Sequence, residues 1–103
     1  MSVEIILESG VKGFAENKDE ARAHRLSTIL PALTNGNRVV LDFAAVRYAT
    51  QSYIHALIGE ALKKFGEQAL ELIEFRNCSP QVRSAIELVV DYSLGGFAEK
   101  RSA

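Results

Sequence analysis

Val3, Ile5 and Leu7 fall at every second position, with Glu4 and Glu8 on the alternate face, which predicts a half-exposed strand. Ser9-Gly10 is a turn signal, and Val11 to Ala15 are expected to return as the second strand of a hairpin. Asn17, with Glu20 three residues on, is a capping-box-like start, and the helix it opens sets Leu26, Ile29, Leu30 and Leu33 on one face. Pro31 should kink the last turn before Asn35-Gly36 ends it. Val39 to Phe43 is a nearly continuous apolar run, the pattern of a central strand buried on both faces. Ile54, Leu57, Ile58, Ala61, Leu62 and Phe65 then recur at helical spacing up to Gly66. Leu70 to Phe75 predicts a further strand. Ser79-Pro80 starts a last helix whose buried face is Val82, Ala85, Ile86 and Val89.

This alternation predicts one α/β domain over residues 1–103. Its central sheet would be mostly parallel, with about four strands, an N-terminal edge hairpin and three main helices. The core would span about residues 3–92. Residues 93–103 are polar and Gly-containing, with Phe97 the one large anchor, and are expected to fray in part.

Composition narrows the function. Hydrophobic residues make up 48% and charged residues 24%, ordinary for a globular chain. A net charge of −1 with interspersed signs lacks the basic footprint of a nucleic-acid binder. No apolar run approaches the roughly 20 residues of a membrane span, and the first residues do not read as a signal peptide, so the cytoplasm is expected. The one cysteine excludes an intrachain disulfide and a multi-cysteine metal site. No phosphate loop, nucleophile elbow or metal-ligand spacing occurs, so neither catalysis nor a cofactor is expected.

The segment 38–54, RVVLDFAAVRYATQSYI, resembles the central signature of STAS domains, the fold of anti-sigma-factor antagonists. It is similar above all to the bacterial STAS-like family of unknown function, with Phe75, Asn77 and Ser79 matching its last strand, Asn and Ser-capped helix. The match covers roughly residues 35–92. In antagonist domains the loop before the second helix reads Asp-Ser-Ser-Gly, and a partner kinase phosphorylates the first Ser. Here Thr50, Gln51, Ser52 and Tyr53 stand there: Gln51 takes the phosphoacceptor position, and Ser52 matches the second serine. The resemblance implies a regulatory protein-interaction module. Its partner would be a histidine-kinase-like ATPase or serine kinase, or a regulator that such a kinase controls. A homo-oligomer stays open.

Six residues make up the expected docking surface: Asp42, Thr50, Gln51, Ser52, Tyr53 and His55. Asp42 ends a buried strand, where a carboxylate can act as a base, bind metal or simply accept hydrogen bonds from the next loop. Thr50 and Ser52 are helix-capping types and also possible phosphoacceptors. Tyr53, as a partly exposed aromatic, would be an anchor for the partner. His55 borders the apolar stripe of its helix, as surface filling or as a titrating group. His24 reads as solvated, and Cys78 as either a thiolate favoured by a helix start or an inert, half-buried thiol. The alternative to protein docking is a small-ligand or anion-binding domain, or an enzyme of unrecognised type, using the same helix start.

Overall fold

The computed structural model describes residues 2–8 and 13–94 of the chain. The chain runs through β1 (Ser2–Ile6), β2 (Phe14–Ala15), α1 (18–34), β3 (Arg38–Asp42), β4 (Tyr48–Ala49), α2 (51–65), α3 (Glu67–Leu72), β5 (Ile73–Arg76) and α4 (Pro80–Ser93). Val39, Val40 and Leu41 point to both faces of β3 and are all buried, as a central strand requires. β1 and β5 pair with β3 on either side, both parallel, in the order β1-β3-β5. Leu7 continues the first ladder, donating its N–H to the Asp42 carbonyl at 2.9 Å.

The expected hairpin does not form. β2 pairs in parallel with β4 rather than folding back on β1, and the Phe14 and Tyr48 rings stack across that pair with centroids 4.6 Å apart. The expected turn at Ser9-Gly10 lies outside the described residues, as does the tail with Phe97. The sheet order among the described residues is therefore three strands plus a two-stranded pair, not four strands with an edge hairpin. The helix count also differs. Residues 67–72, read as loop up to 69 and as strand from 70, form α3, so that β5 starts at Ile73. Glu67, Gln68, Ala69 and Leu70 are strong helix formers, Ala69 is buried, and Gly66 at φ +64 breaks the chain between α2 and α3.

Two of the three long helices, α1 and α2, contain a π turn, and α4 does not. In α1 the helix runs Lys18–His24, widens at Arg25–Ile29 and resumes at Leu30–Thr34. The widened turn closes with Leu30 N–H bonding back to the Arg25 carbonyl, directly before Pro31, which has no N–H to give. The inner line of α1 is Ala21, Arg25, Ile29, Ala32 and Leu33, with Arg25 half-buried. Leu26, expected on the buried face, is 55% exposed because it sits at the border of that line. Asn17 caps α1 as predicted, its side chain accepting from Asp19 and Glu20 N–H.

In α2, Gln51–Ile54 leads into a π turn at His55–Gly59 and then Glu60–Phe65. Ile54, Leu57, Ile58, Ala61 and Leu62 are all buried, as their spacing predicts, and so are Val82, Ala85, Ile86 and Val89 of α4. These side chains belong to one apolar cluster with Leu41 of β3 and with Phe43, which follows that strand. Among the described residues no helix is long and apolar enough to cross a membrane.

Candidate functional site

The start of α2 is fixed by hydrogen bonds from three elements. Ala49 at the end of β4 donates its N–H to Gln81 Oε1 and accepts from Gln81 Nε2, both at 2.9 Å, so the Gln81 amide from α4 serves as an extra rung on that strand. Thr50 N–H bonds to the Ala15 carbonyl of β2 at 3.0 Å. Thr50 Oγ1 then accepts from Tyr53 N–H at 3.0 Å and caps the helix. Ser79 does the same for α4, accepting from Val82 N–H, while its hydroxyl donates to the Arg47 carbonyl. A helix start held this way presents its neighbouring side chains at fixed positions.

Beside it lies a groove of about 670 Å³. Lys18 and Arg25 line it from α1, Gln51, Ser52, His55 and Ala56 from α2, and Val89 and Tyr92 from α4. Arg25 is 17% exposed; its Nη1 donates to the Ala56 carbonyl at 3.3 Å and lies 4.0 Å from the Glu60 carboxylate. The guanidinium thus ties the π turn of α1 to that of α2. Its Nε is buried with no acceptor among the described residues. His55 opens the π turn of α2, and its ring lies over Gly59. A Cβ on Gly59 would come within 2.9 Å of the imidazole. A glycine there costs the helix about 1 kcal/mol relative to alanine, and it leaves the space that the ring occupies.

The six residues expected to form one surface do not all meet. Gln51, Ser52 and His55 share the groove. Thr50 stands next to it, half-buried, with its hydroxyl engaged as the cap. Tyr53 does not belong: it is 1% exposed and part of the apolar core. Burial, with a smaller push from the Glu20 charge, raises its phenol to about 12. The residue is amphipathic, and the first turn of α2 rolls it inward beside Ile54.

Asp42 serves a different place, the C-terminal ends of β3 and β5. Its Oδ1 accepts from Ala44 N–H and from Asn77 Nδ2, both at 2.9 Å. Asn77 has φ +61, a left-handed conformation that Asn tolerates better than most residues, and this bond helps to hold it. The Asn77 bond first and the Ala44 bond second hold the Asp42 carboxyl below its ordinary 3.8, with burial opposing them and the nearby Arg76 charge adding the least. A depressed folded-state value adds stability that is fully present above 3.8 and is lost as the pH falls through the folded value. The stability gap between wild type and Asp42→Asn should therefore be constant from neutrality to about pH 5 and shrink below pH 4, as acid titrations of urea unfolding would show. A gap independent of pH would remove Asp42 from this role.

A second concavity of about 690 Å³ opens beyond those strand ends, lined by Val46, Arg47, Asn77, Cys78 and Ser79 among others. Cys78 is half-buried there. Burial pushes its thiol up more than Arg83 pulls it down, and Asp42 adds to the rise, so the structure favours the inert thiol over the thiolate. His24, read as solvated, is half-buried in a small cleft with Ile6, Glu8 and Glu20. No group of three His, Cys, Asp or Glu side chains among the described residues is arranged to hold a metal ion.

Lys18, Arg25 and Tyr92 escape the sequence reading as groove residues, and Val89 reads only as part of the buried face of α4. One of them left a signal: Arg25 is a charge at the inner position, four residues from both Ala21 and Ile29. Tyr92, 74% exposed, sits one turn beyond Leu88, which is also exposed, on the outer side of α4.

No curated protein and no solved structure matches the chain. The family model described as a STAS-like domain of unknown function (DUF4325) matches residues 26–83, from the π turn of α1 through the first turn of α4. With over half of its length matched, including β3, the whole of α2 and the capped start of α4, the chain belongs to this STAS-like family.

Proposed function

We propose that the protein is a non-catalytic regulatory module of the cytoplasm that docks a protein partner at the start of α2. The observation that carries this reading is the convergence of Gln51, Ser52 and His55 on one groove whose backbone is braced by Thr50, Ala15 and Gln81. A rigid rim with exposed polar side chains suits recognition, since little conformational freedom is lost on binding. Family resemblance supplies the partner class: a histidine-kinase-like ATPase or serine kinase, or a regulator under its control. Of the two possible phosphoacceptors, Ser52 is exposed on the groove, whereas the Thr50 hydroxyl is taken by the helix cap. Ser52 is therefore the residue on which such a kinase would act.

Ser52→Asp tests the docking surface. A carboxylate in the first turn of α2 is favoured by the helix dipole by up to about 1 kcal/mol, so melting should stay near that of wild type. In a complex the same charge must be desolvated against a partner surface that faced an uncharged hydroxyl, a cost that Lys18, Arg25 and His55 offset from this side of the interface only. Affinity for the partner recovered from native lysate should fall at least about tenfold, or ~1.4 kcal/mol, by calorimetric titration. Unchanged affinity would move the docking surface elsewhere on the molecule.

A further inference from the structure

We infer that the groove between α1 and α2 is a seat for a phosphate monoester group, held by Lys18, Arg25, His55 and the Ser52 hydroxyl. The inference deepens the docking proposal and rests on it only in using the same surface. Its basis is a charge arrangement at odds with the chain as a whole. The protein carries a net charge of −1, yet this groove gathers a lysine, an arginine and an imidazole with no Asp or Glu among its lining residues. Glu60 approaches Arg25, but at 4.0 Å and with a side chain 60% exposed it is a weak counter-ion.

Arg25 adds a more specific sign. It occupies an inner position of α1 where an apolar side chain would be expected, and one N–H of its guanidinium is spent on the Ala56 carbonyl. Its Nε is buried without an acceptor among the described residues, which is costly for a charged donor. The buried Nε is closed to a ligand, but the guanidinium lines the groove and brings to an oxyanion there the fixed charge and N–H donors that arginine uses for phosphates. His55 is held at the groove by the room left at Gly59, and it can donate a further hydrogen bond. A volume of about 670 Å³ admits a phosphate together with the group that bears it.

The test is a titration of the 15N-labelled protein, followed by the amide resonances of Gln51, Ser52 and His55. Three probes are used: inorganic phosphate, N-acetyl-phosphoserine amide and adenosine monophosphate. Saturable shifts confined to these amides are expected, with a Kd of about a millimolar or below for at least one probe. The double variant Lys18→Gln/His55→Gln, which changes two exposed side chains, should weaken that binding at least tenfold while folding normally. Tighter binding of the phosphoserine probe assigns the seat to a modified protein segment, and tighter binding of the nucleotide assigns it to a metabolite. No localised shift with any probe at about 20 mM, well above a millimolar Kd, would overturn the inference, as would shifts that persist undiminished in the double variant. Either failure leaves the Ser52→Asp partner titration free to succeed, so the two proposals fall separately.

Discussion

Tyr53→Ala is expected to lower the free energy of unfolding by about 3–5 kcal/mol, the range for removing a buried aromatic ring. The ring is 1% exposed and joins the same apolar cluster as Ile54 and Leu57. Its loss opens a cavity under the first turn of α2, next to the Thr50 cap, where Thr50 and the β2–β4 pair leave little room to collapse. Domains of this size are stabilised by about 5–15 kcal/mol in total, so the variant should unfold far earlier in urea. Tyr53→Phe keeps the ring and should lose less than about 1.5 kcal/mol. A loss below ~1 kcal/mol for Tyr53→Ala would mean that the ring is not in the core and would restore it as a possible contact for a partner.

Truncating Leu57, Leu62 or Ile86 to Ala should each cost about 2–5 kcal/mol. All three are buried: Leu57 and Leu62 on the inner face of α2, Ile86 on α4. Leu57 falls inside the π turn, where the wider helix brings Leu57 and Ile58 into the core together. Chemical denaturation of the three variants checks the helix phases assigned here. Losses under ~1 kcal/mol at all three positions would show those phases to be wrong.

Where local pattern and tertiary context agree, the sequence is enough to find the element. Val39-Val40-Leu41 reads as a central strand because no other arrangement buries both faces of a short β-branched run. The 54–65 stripe and the Ser79-Pro80 start are as plain, since spacing and capping chemistry point the same way. The hairpin fails for the opposite reason. Two residues such as Phe14 and Ala15 alternate equally well against β1 or β4, and their pairing with β4 is a tertiary fact that no local pattern carries. Leu70, Leu72 and Ile73 form an apolar run that suits a helix end or a strand start, so the boundary between α3 and β5 is hidden. Of the groove residues, Gln51, Ser52 and His55 are legible as neighbours from the resemblance and the helix start. Tyr53 misled because an aromatic beside polar residues has no direction until the helix phase is set. Lys18 and Tyr92 come from elements distant in sequence, and only packing brings them to the groove.

Docking at the start of α2 is tested most directly by site-specific photo-crosslinking in native lysate. One variant carries a photoreactive amino acid in place of Gln51, on the groove, and a control carries it in place of Glu71, exposed on α3. Docking there predicts a discrete crosslinked protein from position 51 that is absent from position 71 and is lost when Ser52→Asp is added. Equal crosslinking from both positions, or a product at 51 that survives Ser52→Asp unchanged, would contradict it.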